Sequence, residues 1–170
     1  VQVGRIGSVI EGVVKKYGFK PVWNLSGHEV RQYTVHAGFS IPNVGGQDGN
    51  RLQVDGVYAV EPFATLQEAS GQVVGLPDVR IFRCTQYRKQ RSPDSDMLLR
   101  KLWAERHNLP FAERWLVHLL PRDRFSDAWA GVKASRLIKG YQVLRERGSG
   151  VVAQAEHTVL TTKDGCLVLT

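Results

Sequence analysis

Cysteine is scarce in this chain, with only Cys84 and Cys166 among 170 residues. Two thiols make neither a disulfide framework nor a thiolate zinc site, and two reduced cysteines in a cytoplasmic protein is the plainer account. No apolar run is long enough to span a bilayer, and no secretory signal stands at the start, so a cytoplasmic protein with no membrane partner is expected. A Gly-rich phosphate loop, an HExxH helix and a GxSxG elbow are all missing, which leaves nucleotide, single-helix zinc and serine-hydrolase chemistry without local support. Neither cysteine carries a signature of thiol catalysis. Internal repeats and low-complexity tracts are also absent.

What is present is enough length to bury a real core, as one domain or one domain with a small satellite. The net charge of +7 is uneven. Residues 80–147 hold 16 Lys and Arg against 7 Asp and Glu, and the remainder holds 7 against 9. A mildly acidic part that binds cations, joined to a basic part that faces a polyanion, fits this split. So does a plain Arg-rich soluble surface.

Hydrophobic spacing sketches the order of elements. Ile6, Val9, Ile10, Val13, Val14 and Tyr17 recur at helical intervals, with Gly18 as a stop. Strands are expected at 21–25, 33–37 and 57–63, with a turn-rich loop over 38–49 and a short strand within 71–81. Composition changes near Arg88. Three short helices are expected beyond it: one carrying Met97, Leu98, Leu99, Leu102 and Trp103, and one from Phe111 to Leu120 ended by Pro121. The third is capped by Ser126 or Asp127 and carries Trp129, Val132 and Leu137. A strand at 141–144, a tight turn at 147–150, a strand over 151–160 and a final hairpin through Lys163-Asp164-Gly165 complete the sketch. Residues 89–147 then form a satellite resembling a winged helix, inserted between strands of a main sheet, with three of the four tryptophans.

A few polar residues stand in apolar, strand-like settings. In 57–63, period two puts Val57, Ala59, Glu61 and Phe63 on one face. A lone carboxylate there costs several kcal/mol unless it finds a metal, an arginine or a cluster of backbone N–H groups. Gln154, Glu156 and Thr158 share a face that is either solvated or lines a polar cavity. His28 follows Asn24-Leu25-Ser26-Gly27, and His36 precedes Ala37-Gly38. Two His and two Glu are ligand types that divalent metals accept. His107 and His118 read as members of the basic helices, and His157 as a packing residue. With no aspartate pair to complete it, the set looks like half of a dinuclear metal site, whose other ligands are expected on another chain or on an N-terminal segment. The reading requires the three ligands to converge and neither acid to face bulk water.

Several segments, taken in order, closely resemble the C-terminal half of the type II methionine aminopeptidases of archaea and eukaryotes. They are Asn24-Leu25-Ser26-Gly27-His28, Val35-His36-Ala37-Gly38, Ser40-Ile41-Pro42-Asn43, Tyr58 to Thr65, Leu109-Pro110-Phe111-Ala112 with Arg114-Trp115, and Val152-Ala153-Gln154 with Glu156-His157-Thr158. The resemblance implies an α+β half of a pita-bread fold at 1–88 and 148–170, with the type II helical insert at 89–147. It implies that His28, Glu61 and Glu156 bind two divalent ions (Co, Fe, Mn or Zn), with Glu156 bridging, and that His36 hydrogen-bonds the scissile amide. The family's two metal-binding aspartates come from its N-terminal half, and Asp48, Asp55 and Asp78 have no matching context. Phe39, Ile41 and Phe63 would wall a methionine pocket. A complementary N-terminal half is the expected partner, and a nascent peptide with N-terminal methionine the expected substrate. Alone, the chain should show negligible activity. A noncatalytic pita-bread protein bound to ribosomes or RNA through the basic insert, or a peptidase cleaving Xaa-Pro bonds, are the competing readings.

Overall fold

The computed structural model describes residues 1–46 and 49–170. In chain order the elements are α1 (Val3–Lys16), β1 (Phe19–Pro21), β2 (Ser26–Val30), β3 (Ser40–Pro42), β4 (Val57–Val60), β5 (Phe63–Leu66), β6 (Val73–Cys84), α2 (Pro93–Arg106), β7 (Phe111–Ala112), α3 (Arg122–Ala134), β8 (Ile138–Glu146), β9 (Val152–Gln154), β10 (His157–Thr161) and β11 (Cys166–Val168). A 3-10 turn covers Glu113–Trp115. The chain divides into two compact units, one of Val1–Gly75 with Leu144–Thr170 and one of Leu76–Val143. The architecture is mixed α and β. Among the described residues, no helix is long and apolar enough to cross a membrane.

The first unit holds a five-stranded antiparallel sheet in the order β11-β10-β4-β2-β3 and a three-stranded one in the order β1-β5-β9. Val3, Ile41, Tyr58 and Val159 form its core, with Ile6, Phe39, Leu52 and Val60 packed around them. Helix α1 ends at the expected glycine: Gly18 has φ +80° and donates its N–H to the Lys15 carbonyl. Its apolar face is only partly covered. Val3 and Gly7 are buried, whereas Val9, Val13 and Tyr17, one turn apart, are exposed. Gly7 lies so close to β3 that an added Cβ would stand 2.3 Å from the Val44 carbonyl oxygen. At the other side of the unit, β11 is a sheet edge whose Leu167 and Val168 are exposed.

Several elements differ from the sequence expectation. The strand foreseen at 21–25 ends at Pro21, and the chain turns at Trp23 and Asn24. Residues 33–37 form a bend instead of a strand. Arg31 and Thr34 make an isolated bridge around Tyr33, whose φ is +58°. The loop foreseen at 38–49 contains β3, and Asp48 lies outside the described residues. The single strand at 57–63 is two strands, β4 and β5, belonging to different sheets. Its break falls at Glu61-Pro62, where proline supplies no N–H to a ladder.

In the second unit, Phe82, Cys84, Leu98, Leu99, Leu102, Phe111, Phe125, Trp129 and Val132 are the heart of the core. Helix α2 starts on Ser92, whose hydroxyl accepts the Ser95 N–H, with Pro93 at the first helical position. Asp94 forms a two-pronged pair with Arg124 of α3. The helix expected over 111–120 does not form. Phe111 instead pairs with Phe82 as strand β7 and is fully buried, so tertiary burial outweighs the helical spacing. Helix α3 begins at Arg122, ahead of the expected cap, and Pro121, expected to end the preceding helix, stands at its N-cap position. The short strands foreseen at 71–81 and 141–144 are parts of the longer β6 and β8.

Candidate metal centre

Strand pairing brings the two glutamates together. Val60 pairs with His157 and Phe63 with Gln154. The intervening residues therefore set Glu61 against Glu156 and Pro62 against Ala155, and the Ala155 N–H donates to the Pro62 carbonyl at 3.2 Å. Both strands change sheets at this point, so both carboxylates occupy breaks in their ladders. On β2, His28 is opposite Ala59, two residues before Glu61 in the chain. This is the diagonal spacing across which long side chains meet.

Local sequence explains why β2 comes so close. Gly27 faces β4, and a Cβ there would stand 2.2 Å from the Ala59 carbonyl oxygen and 3.1 Å from the Glu61 nitrogen. Two side-chain amides, an exposed one and a buried one, hold the preceding segment. Asn24 exchanges hydrogen bonds with the Val73 backbone at 2.8 and 2.9 Å. Asn43, fully buried, donates to the Leu25 carbonyl at 3.0 Å.

His28 is 8% exposed. Its Nε2 is 2.9 Å from Glu61 Oε1, and its Nδ1 is 3.1 Å from the Glu29 carbonyl oxygen. Both neighbours are acceptors, so both ring nitrogens donate in this arrangement. The Glu61 carboxylate raises the imidazole pKa above its ordinary value. Burial opposes this, and the Glu29 carbonyl and the charges of Glu61 and Glu156 add to the rise. Gln154 Nε2 donates to the other oxygen of Glu61 at 2.9 Å. The His36 ring stands 4.3 Å from that of His28, edge to face at 60°.

The donor set fits a divalent cation. The Glu29 carbonyl fixes Nδ1 as the N–H of the ring, which leaves Nε2 to face Glu61, as a metal-binding histidine requires. The position shared by Nε2 and Oε1 takes a proton here, and a cation suits the same two donors. Two glutamates directly opposite one another repel, which a cation would relieve. Among the described residues, no group of three or more His, Cys, Asp and Glu is close enough to hold an ion unaided.

Other expectations meet the structure unevenly. Glu156 is exposed, contrary to the expectation that neither acid faces water. Its chain position, opposite Glu61 in the break between β9 and β10, accounts for this. Asp55 has φ +62° in the turn before β4, and Asp78 pairs with Arg80 at 3.2 Å. Ile41 is fully buried in the core, so it cannot wall an accessible pocket, and Phe39 leans on Tyr58 with ring centres 5.7 Å apart. Phe39 also lines an open cleft of about 480 Å³ with Trp23, Asn24 and Ser26. Both cysteines are free, and burial pushes the Cys84 thiol up to about 11. The sequence reading missed the contact between Gln154 and Glu61. Its signal was the two-residue spacing from Glu156, but the partner depended on a register that crosses two strand breaks.

Solved structures place this architecture among known folds. The structure of a thermophilic Arx1 matches with a TM-score of 0.74 at 18% identity, over 99% of this chain and 45% of that one. The crystal structure of the methionine aminopeptidase from Thermotoga maritima matches with a TM-score of 0.56 at 19% identity, over all of this chain and 43% of that one. The fold is thus the pita-bread fold of these neighbours, represented by less than half of their length.

Sequence similarity is stronger. The chain is 41% identical over 170 residues to the methionine aminopeptidase of Methanothermobacter thermautotrophicus, and 40% identical over 171 residues to that of Pyrococcus horikoshii. The matches take in all of this chain but 56% and 57% of those proteins, so the chain spans a little over half the length of the curated relatives it matches. No family model matches it.

Proposed function

We propose that this chain is the C-terminal half of a type II methionine aminopeptidase, supplying His28, Glu61 and Glu156 to a dinuclear centre completed by a complementary N-terminal half. The observation that carries the proposal is the contact between His28 Nε2 and Glu61 Oε1, with Nδ1 pinned and Glu156 opposite Glu61 in the strand register. The exposed Glu156 belongs, in this reading, to the face that the complementary half covers. Residues 89–147 correspond to the winged-helix-like insert. Cobalt, iron, manganese and zinc all suit imidazole and carboxylate.

The roles follow from position. His28 and Glu61 hold one ion, and Glu156, opposite Glu61, reaches both. When bound, two divalent ions supply an activated water and charge stabilisation for the attacked carbonyl. His36 donates to the scissile amide of a nascent peptide with N-terminal methionine. Phe63 walls the side-chain pocket.

The test is a peptide assay in the cytoplasmic enzyme reconstituted from both halves. Met-Ala leaders should be cleaved, Xaa-Pro leaders should not, and Glu156→Gln should lower turnover by two orders of magnitude or more. Tight two-ion binding with turnover by the lone chain would overturn the half-centre reading.

A second reading has one specific observation in its favour. The unit Leu76–Val143 carries 14 Lys and Arg against 7 Asp and Glu, while the rest of the chain balances at 9 and 9. A noncatalytic protein that contacts ribosomal RNA through this surface would lose RNA binding in high salt and on replacing Arg100, Lys101 and Arg106, with no effect from Glu156→Gln.

A further inference from the structure

Gln154 is a neutral side chain placed among charges. Strand β9 sets it opposite Phe63, two residues before Glu156 in the chain and diagonal to Glu61. Its amide crosses that diagonal and donates from Nε2 to Glu61 Oε2 at 2.9 Å, while His28 takes Oε1 at 2.9 Å. The two Glu61 oxygens are therefore held by different partners on opposite sides. Of the two, only His28 offers an atom that can exchange a proton for a cation. The primary amide N–H has no such alternative.

We infer that Gln154 is a positioning residue, which fixes the Glu61 carboxylate through Oε2 so that Oε1 alone is presented to a divalent cation shared with His28 Nε2. This rests on the metal-centre reading and adds to it a coordination mode, one oxygen from Glu61, and the residue that imposes it. A carboxylate left free to rotate would swing away from the facing Glu156 or offer both oxygens. The amide prevents both, without adding the negative charge that a third acid would bring. Partners of this kind, one bond removed from the ion, change metal affinity by about 10- to 100-fold when lost.

Two measurements test the inference, the first on the full 170-residue chain and the second on the enzyme reconstituted from both halves. In the metal-free chain, the Gln154 side-chain NH₂ signals should be protected from solvent exchange and should shift in Glu61→Ala. Unprotected signals that ignore Glu61→Ala would overturn the inference without recourse to any variant of Gln154. Titration with Co²⁺, followed by visible absorption, should show at least tenfold weaker binding in Gln154→Leu. The d–d bands should also change intensity as Glu61 begins to offer both oxygens. Equal affinity and an unchanged spectrum in a folded Gln154→Leu would overturn the inference and leave the metal centre standing. A parent enzyme reconstituted from both halves that takes up no Co²⁺, even at millimolar concentration, would overturn the metal-centre reading and the coordination mode together. The exchange data would then report the Gln154 to Glu61 bond by itself.

Discussion

Two acids in the first unit solve the problem of a carboxylate out of water in opposite ways. Glu146, 3% exposed, accepts backbone N–H bonds from Gly71 at 3.2 Å, Gly148 at 2.6 Å and Gly150 at 2.9 Å. These donors hold its pKa below the usual carboxylate range, the Gly150 N–H first, against the effect of burial. A depressed folded pKa means stability that is present above the unfolded value of about 4.3 and lost as pH falls through the folded one. Glu146→Gln, which turns an NH₂ toward those donors, should lower the urea midpoint at pH 7. The gap from the parent should close as the pH is taken below about 4. A gap that stays constant from pH 7 to pH 3 would show that the charge is not what the turn needs. Among the described residues Glu61 is met by two side chains, Gln154 and His28, and the imidazole can give its place to an ion.

At this scale the sequence was informative about identity and poor about partners. His28, Glu61 and Glu156 stood out by residue type and by resemblance. Glu146 did not, because its donors come from a loop 75 residues away in sequence and from its own turn. The tight turn at 147–150 was legible beside Glu146, but the Gly71 donor was not.

At the level of elements, the approach of β2 to β4 sets the site. Gly27 leaves no room for a Cβ beside the Ala59 carbonyl, and that carbonyl is backbone, which cannot swing aside. Gly27→Ala should therefore force the strands apart, costing about 1–3 kcal/mol as overpacking does. Thermal unfolding would measure the loss, and the imidazole resonances of His28 should move with it. A variant as stable as the parent, with His28 undisturbed, would mean that β2 is not held this close. The helical periodicity that read α1 and α2 correctly failed over 111–120. There Phe111 and Leu116 satisfy a helical pattern, yet they are buried from a strand and a 3-10 turn. Periodicity reports that residues are buried, not by which element. The break at Glu61-Pro62 was legible in principle, since proline was visible, but the apolar residues on both sides masked it.

For the whole molecule, composition revealed the charge split, and the structure assigns it to a neutral unit and a basic one. The division into units was not legible near Arg88, where composition changes, because its boundaries fall inside β6, after Gly75, and inside β8, after Val143. An open rim of the five-stranded sheet remains. Strand β11 offers unpaired backbone groups beside exposed Leu167, Val168 and Leu169. Such a rim is a template on which another copy can lay its own strand. Kept by itself in concentrated solution, the chain should self-associate, and light scattering should show particle size growing with concentration. Val168→Lys should suppress that growth, since a lysine on an outer strand is how soluble sheets discourage strangers.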